Sequence, residues 1–405
     1  MLLGILVGAW VARYLGPEQF GELAYVLAFV AFFQAFSLLG LDGLTVRDIA
    51  RDRTQSGAVL GTVFRLRLGA AAVGWVMACS LIGLLRPGDS KTLLLVAIIA
   101  AGMLFQTADV IDLWFQSQTQ SRRTVLAKVV AYLISNGAKV ALILAEAPLW
   151  AFAAVQLLDT GLAALFLIRA YRTLRAYSAW TWDSDVARSL LQQCWPFILS
   201  GLAVMVYMRI DQIMLREMVG DRELGIYSAA LPFSQAWHFI PVTICASLLP
   251  TLSRNHTDNR ALFFLRLQRL FILVAWLAIA LVVSLALASN WLVTTLLGAA
   301  YEESARVLSL HIVTNIFIFL GVAQGQWILN ERRSQVSLIK TGIGAITNVV
   351  ANLILIPLYG AVGAALAAVI AQAVSAVFSN WILAPEIFSM QMHAIFPFYN
   401  PRATQ

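Results

Sequence analysis

The sequence predicts an all-α polytopic membrane protein with about twelve transmembrane helices in two six-helix bundles. Of its 405 residues, 60% are apolar and 12% are charged, whereas a soluble globular domain carries about 25% charged residues. The mean hydropathy is +0.80, and apolar stretches of membrane-spanning length recur along the chain. Short segments also repeat about six spans apart. This composition excludes an ordinary soluble enzyme, a disordered chain and a secreted disulfide scaffold.

Each predicted span is built on about 20 mostly apolar residues, the length that crosses a bilayer. The first apolar run ends at Arg13 and makes only about 18 Å of helix, so we expect a first helix that lacks its beginning. Four regions are predicted: an N-terminal bundle (1–170), a cytoplasmic linker (171–193), a C-terminal bundle (194–385) and a cytoplasmic tail (386–405). The predicted spans are 1–13, 20–43, 60–85, 91–114, 124–145, 148–170, 194–216, 224–249, 264–289, 304–329, 335–357 and 360–384.

The basic residues predict the topology, because lysine and arginine concentrate on the cytoplasmic side of a membrane protein. With the N-terminus inside, 20 of the 28 lie in or beside the even-numbered loops and the tail. Six lie in or beside the odd-numbered loops, and Arg209 and Lys139 lie within spans. We therefore expect a multi-pass membrane protein with both termini in the cytoplasm. The net charge of +7 follows this pattern, so no nucleic acid partner is expected.

Three short matches indicate an internal repeat. Residues 15–21 (LGPEQFG) resemble 219–225 (VGDRELG), 204 positions later. Arg122-Arg123 matches Arg332-Arg333, and 149–151 falls on 359–361, both at an offset of 210. Because six spans separate the copies, corresponding helices run in the same direction. Parallel repeats of this kind occur in transporters that move two halves around a central site.

Ionisable residues inside spans are costly, so they usually face protein or water and mark a pathway. Span four carries Asp109 and Asp112 on one face, and span five carries Lys128, Asn136 and Lys139 on one face. Two alternatives remain open: a carboxylate pairs with a lysine, or the two faces line an aqueous cavity. For Asp112 and Lys128, a position at the membrane interface is a third interpretation.

Span seven carries Arg209 and Asp211, whose side chains point in different directions on a helix. Arg209 is a candidate contact for an anion, because a guanidinium matches phosphate oxygens with a fork of donors; the alternative is a structural Arg–Asp pair. Asp211 needs another partner. Arg47, in the charged connector 47–53, is a candidate for the cavity mouth or a lipid headgroup contact. The candidate substrate-binding residues are therefore Arg209, Arg47, Lys139, Asn136, Asp109 and Asp211.

No catalytic pattern is present in the sequence. It contains no GxSxG, Walker A or HExxH motif, and its four histidines and three cysteines are scattered. We therefore expect a transporter that is not an enzyme, with no cofactor and no metal site. Coupling to a proton or sodium gradient is left open.

Five segments together resemble the polysaccharide transport family, the Wzx-type O-antigen and repeat-unit flippases of the multidrug/oligosaccharidyl-lipid/polysaccharide (MOP) superfamily. The resemblance covers essentially the whole chain and departs at the N-terminus, where the family has a complete first helix. The segments are RYLGPEQFGELAY (13–25), RIDQIML (209–215), GDRELGIYSAA (220–230), YEESARVL (301–308) and NVVANLILIPLYGAVGAALA (348–367).

The resemblance implies two six-helix bundles enclosing a central cavity, as in MATE-like transporters. It implies a substrate of undecaprenyl-diphosphate-linked oligosaccharide, moved to the periplasmic leaflet for O-antigen, capsule or exopolysaccharide synthesis. The family's basic cavity residues would fall on Arg209 and Arg47. Membrane lipid, a polysaccharide polymerase and a chain-length regulator are the candidate partners.

Two other classes remain as alternatives. One is a cation-coupled antiporter of small molecules or drugs on the related MATE-like fold. Asp109, Asp112 and Asp211 keep this alternative open, whereas Arg209 and Lys139 favour the flippase. The other is a membrane-embedded polymerase or ligase, which is expected to carry a large loop outside the cytoplasm. The predicted odd-numbered loops are short.

Overall fold

The computed structural model of the chain describes residues 2–173 and 179–396. Every regular element in that part of the chain is a helix, so the predicted all-α class is confirmed. The α-helices are α1 (Leu2–Ser37), α2 (Asp42–Arg51), α3 (Ser56–Leu85), α4 (Ser90–Gln106), α5 (Val110–Ser117), α6 (Ser121–Leu144), α7 (Leu149–Arg172), α8 (Ser184–Val219), α9 (Asp221–Gln235), α10 (Phe239–Asp258), α11 (Arg260–Leu296), α12 (Glu302–His311), α13 (Thr314–Asn330), α14 (Ser334–Ala373), α15 (Asn380–Leu383) and α16 (Pro385–Ile395).

Within the described residues, ten helical segments are long and apolar enough to cross a membrane. Two of them, Leu2–Arg51 and Ser334–Leu383, are 50 residues long, which is enough for two crossings each. Each is bent at a glycine, Gly16 (φ 73°) in α1 and Gly360 (φ 55°) in α14. These bends lie where the sequence predicts the boundaries between spans one and two and between spans eleven and twelve. Counted this way, the segments agree with the prediction of about twelve spans.

Positive φ angles explain why glycine occupies the junction between the first two predicted spans and the matching position of the repeat. L-residues with a side chain rarely adopt positive φ, whereas glycine does so without strain. Gly16 (φ 73°, ψ 167°) and Gly220 (φ 98°, ψ 178°) have nearly the same conformation and are matched positions of the repeat. Pro17 follows Gly16 at the start of the next helical stretch, where a missing N–H costs nothing. The repeat detected in the sequence therefore has the same backbone geometry at both copies.

The two copies of this motif also pack directly against each other. A Cβ atom built on Gly21 would lie 1.8 Å from the carbonyl oxygen of Asp221, and one on Gly225 would lie 1.8 Å from that of Pro17. Gly21 and Gly225 are equivalent in the repeat, as are Pro17 and Asp221. The contact is thus reciprocal, as at a two-fold interface. Only glycine allows two helix backbones to approach so closely.

A carboxylate caps the helical segment that begins after Gly360. The Glu223 side chain accepts a hydrogen bond from the Ala361 backbone N–H, with a distance of 2.8 Å between oxygen and nitrogen. The first N–H groups of a helix have no partner within the helix, and a negative charge there is favourable. α9 therefore stabilises the start of the last span.

The helices pack as two compact units, one formed by the described residues of Met1–Gly21 and Tyr207–Gln405 and the other by Glu22–Val206. In the first unit, Phe263, Phe271, Phe319 and Trp327 form a core into which Ile387 of α16 also packs. Residues 386–395 of the predicted tail therefore belong to a docked helix, while 397–405 lie outside the described residues. The four predicted regions of the chain stay a prediction.

In the second unit, the core contains Leu41, Ile49, Leu60 and Phe115. The described end of the predicted linker packs onto α3. The Asp183 N–H donates to the Thr62 hydroxyl at 3.0 Å, and the Trp180 ring contacts Phe64. Residues 174–178 of the linker lie outside the described residues.

Candidate functional site

The unit formed by Glu22–Val206 contains a cavity of about 880 Å³, which we call the acidic cavity. That volume is within the usual range for a small-molecule site. Its walls come mainly from the end of α4 and the residues that follow it up to the end of α5, and from α6 and α7. The lining residues are Val46, Phe105, Gln106, Asp109, Asp112, Gln116, Ser121, Thr124, Val125, Lys128, Val129, Tyr132, Asp159, Thr160, Ala163 and Ala164.

Lys128 bridges two carboxylates in this wall. Its Nζ lies 2.9 Å from an oxygen of Asp109 and 3.0 Å from an oxygen of Asp112. A 3-10 turn (Thr107–Asp109) precedes α5, so the two aspartates are three positions apart on one helical path and face the same way. The sequence left pairing and a shared cavity as alternatives, and the structure contains both. All three side chains remain partly exposed.

The cavity lining carries an excess of negative charge. Its ionisable members are Asp109, Asp112 and Asp159 against the single ammonium group of Lys128. Lys139 is half-buried in α6 and interacts electrostatically with Asp159, but it does not belong to the lining. This arrangement attracts cations and repels a diphosphate. Within the described residues, no group of three or more His, Cys, Asp or Glu side chains is placed to hold a metal ion.

Asn136 has a partner in its own helix. Its side chain is 4% exposed, and its amide nitrogen donates to the Tyr132 carbonyl oxygen at 2.7 Å. Tyr132 lines the acidic cavity, whereas Asn136 does not. The sequence placed Asn136 on the same face as Lys128 and Lys139, and the structure positions it behind the lining.

In the other unit, Arg209 and Asp211 of α8 lie close together but have different partners. Arg209 is half-buried, and its guanidinium donates to the Gln212 side chain over a long 3.4 Å. Asp211 is buried and accepts hydrogen bonds from the Tyr227 hydroxyl and from the Gln212 N–H at 2.8 Å. Tyr227 of α9 is thus the separate partner that the sequence required for Asp211.

Asp211 also lines a second, much smaller cavity of about 70 Å³, together with Tyr207, His238, His311 and Asn348. His311 bonds through Nδ1 to the Ser234 hydroxyl at 2.9 Å. The wall is polar but has room for only a few atoms. This cavity is therefore too small for a sugar.

Arg47 lies in α2 at the surface. Its side chain is 55% exposed and pairs with Asp48, with 2.8 Å between Nε and the carboxylate. It also donates to Gln193 of α8 at 3.0 Å. Its neighbour Val46 lines the acidic cavity, so Arg47 lies close to that cavity without being part of its lining.

One buried polar cluster was not identified from the sequence, and it is centred on Lys340 of α14. Lys340 is 8% exposed, and its ammonium donates to the Gln324 side chain. Gln324 donates to Asn380 at 2.7 Å, and Asn380 donates to Gln391 at 2.9 Å. We call these four residues the amide network. Lys340 shares a helix face with Asn348, and that spacing was a usable signal.

Comparison with known proteins identifies a family. The model of a family described as "Polysaccharide biosynthesis protein" matches residues 10–306, which is more than half of the chain. A curated protein of Shigella dysenteriae named "Putative O-antigen transporter" is 23% identical over 372 residues, covering 89% of this chain and 91% of that protein.

Solved structures of low sequence identity share the fold. An inward-facing multidrug resistance MATE family transporter of the MOP superfamily superposes with a TM-score of 0.79 at 15% identity, covering 96% of this chain and 95% of that one. The lipid II flippase MurJ, in an inward closed conformation, gives a TM-score of 0.75 at 12% identity, covering 97% and 89%. The chain therefore has the fold of MOP superfamily transporters, as the sequence resemblance implied.

Proposed function

Because the chain belongs to the family of polysaccharide biosynthesis proteins, we propose that it is a flippase for undecaprenyl-diphosphate-linked oligosaccharide repeat units. It would move them from the cytoplasmic to the periplasmic leaflet of a bacterial inner membrane, with both termini in the cytoplasm. The observation that carries this proposal is the family match over residues 10–306. A fold shared with a lipid II flippase supports it.

The main barrier to the proposed translocation is the free energy of moving a charged diphosphate through the hydrocarbon of the membrane. A diphosphate cannot cross hydrocarbon unaided, because taking an ionised group out of water into an apolar medium is prohibitive. A protein that exposes a polar, cationic path to each leaflet in turn removes that barrier, while the polyprenyl tail stays in lipid. No ATP-binding motif is present in the sequence, so an ion gradient is the proposed energy source.

Arg209 is the proposed contact for the diphosphate. Its guanidinium has five N–H donors, and within the described residues its single hydrogen bond is the long one to Gln212. Donors therefore remain for phosphate oxygens, which a guanidinium binds in a bidentate manner. Arg47 is proposed as a second contact, because its exposed side chain can reach a phosphate group. We call it peripheral because its guanidinium is already paired with Asp48.

The acidic cavity favours a second candidate, a cation-coupled antiporter of small molecules or drugs. Three carboxylates facing one ammonium suit a cationic substrate better than a diphosphate. In a flippase, the same carboxylates would instead hold the coupling cation. The two candidates therefore assign different ligands to one site.

Complementation separates these candidates. Expression in a strain that lacks its own repeat-unit flippase should restore surface polysaccharide, and a polysaccharide-negative strain that gains only drug resistance would favour the antiporter. Arg209→Ala should abolish restoration while leaving the protein in the membrane. The matched control is Arg222→Ala, which removes an exposed arginine paired with Glu303 at the surface. Full restoration by Arg209→Ala would refute the role of Arg209 but not the flippase proposal.

A polymerase and a chain-length regulator remain proposed partners.

A further inference from the structure

A groove of about 540 Å³ runs between α6 and α7 on the surface of the unit formed by Glu22–Val206. We call it the arginine groove. It is separate from the acidic cavity, with which it shares no lining residue. Its lining residues are Arg123, Leu126, Ala127, Val130, Phe166, Arg169, Ala170 and Thr173.

The two arginines of the groove lie at the same end. Arg123 is in the first turn of α6 and Arg169 is in the last turn of α7, and these consecutive helices pack side by side. Both side chains are exposed. Among residues 2–173 and 179–396, neither guanidinium has a carboxylate partner, in contrast to Arg47, Arg67 and Arg216, which are ion-paired. The groove therefore presents two positive charges that no carboxylate of the described residues neutralises.

The rest of the groove is apolar. Ala127 and Ala170 are small and leave a depression between the helices, and Leu126, Val130 and Phe166 border it. Leu126 is 55% exposed and Val130 is 44% exposed, so this surface faces the hydrocarbon in a membrane-spanning helix pair. From Arg123 to Val130 the helix rises about 10 Å, which matches the first eight or so carbons of an acyl chain.

We propose that the arginine groove binds an anionic glycerophospholipid. Its phosphate lies between Arg123 and Arg169, and one acyl chain lies along the apolar floor. Basic pockets between transmembrane helices recognise such headgroups by charge, and a guanidinium offers phosphate oxygens two parallel donors. The groove opens to bulk lipid, where phospholipids prevail over any scarce carrier lipid. The binding does not depend on what the protein transports.

Native mass spectrometry of the full chain tests this proposal. The protein is released from micelles containing equal amounts of phosphatidylglycerol and phosphatidylcholine, and the retained lipids are counted. We expect the wild type to retain phosphatidylglycerol preferentially. Arg123→Gln and Arg169→Gln should each weaken that retention about fivefold, as expected for the loss of one basic contact near a lipid headgroup.

The matched control is Arg122→Gln with Arg172→Gln. These two arginines lie at the same ends of the same helices and are exposed, but they do not line the groove. The proposal requires the control to retain phosphatidylglycerol like the wild type. It is overturned if the groove variants retain it unchanged, or if both pairs of variants lose it equally, since that would indicate a general charge effect.

A third arm uses undecaprenyl diphosphate in place of phosphatidylglycerol. If the groove variants lose only this lipid and keep phosphatidylglycerol, the groove serves the carrier lipid and the proposal is overturned. Restored polysaccharide in the complementation assay together with unaltered lipid retention would refute this proposal and leave the flippase proposal intact.

Discussion

Lys128 and Lys340 both lie in membrane-spanning helices, but their ammonium groups have different partners. Lys128 bridges the carboxylates of Asp109 and Asp112 beside a cavity of about 880 Å³. Lys340 is buried and donates to an amide, Gln324, which continues into Asn380 and Gln391. The first lysine can be reached by water and ions, whereas the second is enclosed by side chains.

The difference indicates different roles for the two regions. The ion pairs of Lys128 are partly exposed, and solvent screening limits what such pairs contribute to stability, so the acidic cavity is suited to exchange its charges with a ligand. A buried charge depends on every partner it has, because removing one leaves the charge uncompensated. We therefore expect changes in the amide network to affect stability and changes in the acidic cavity to affect transport.

The largest expected effect is on the amide network. Gln324→Leu removes the acceptor of the Lys340 ammonium and should lower the free energy of unfolding by about 3 kcal/mol or more, because a buried charged donor is left unsatisfied. Equilibrium unfolding in mixed micelles measures this. In the double variant Lys340→Met/Gln324→Leu the buried charge is gone, so the loss should be smaller. A double variant as unstable as Gln324→Leu would show that the ammonium is not the cause.

An intermediate effect is expected at the contact between the repeats. Gly21→Ala places a methyl group where the Asp221 carbonyl oxygen lies, and the helices must separate. We expect a loss of about 1–3 kcal/mol, typical of overpacking, and a similar loss for Gly225→Ala, its equivalent. Gly8→Ala is the control, because Gly8 also lies in α1 and a Cβ there meets nothing within 4 Å. Unequal losses at Gly21 and Gly225 would contradict the reciprocal packing.

The smallest effect on stability is expected at Lys128. Lys128→Met should cost at most about 1 kcal/mol, because its pairs are partly exposed. Transport, measured as polysaccharide output at equal protein level, should fall about tenfold. A change of this size is typical when the coupling between two ligand sites is lost. Arg122→Met is the control in the same helix, because Arg122 is exposed and does not line the cavity. If Lys128→Met lowered the free energy of unfolding by several kcal/mol but left polysaccharide output per folded protein unchanged, the acidic cavity would be a stability site, contrary to our expectation.

The number and class of helices were predictable because they depend on local features. Apolar runs of membrane-spanning length and the junction sequences around Gly16, Gly220 and Gly360 identify the spans without reference to tertiary contacts. The bends at Gly16 and Gly360 lie within continuous helical segments, yet the predicted boundaries coincide with them.

The partners of the charged residues were harder to predict. Asp109, Asp112 and Lys128 lie within 19 positions of one another in adjacent spans, so helix periodicity was enough to predict facing polar stripes but not to choose between a pair, a shared cavity and an interfacial position. Gln324 is only 16 positions from Lys340, in the preceding helix, but the network continues to Asn380, which is 56 positions from Gln324. Spacing within one helix carries no information about such contacts. Tyr227 is only 16 positions from Asp211, in the next helix, and its uncharged hydroxyl did not mark it as the partner of a carboxylate.

The cap that Glu223 provides to Ala361 has a consequence for hydrogen exchange. Amides in the first turn of a helix usually exchange quickly, because they have no acceptor within the helix. The Ala361 amide has one, on a residue 138 positions away, so its exchange requires α9 and the last span to separate. This single amide therefore reports local opening between two distant segments, and Glu223→Gln, which keeps an oxygen acceptor, should leave it protected.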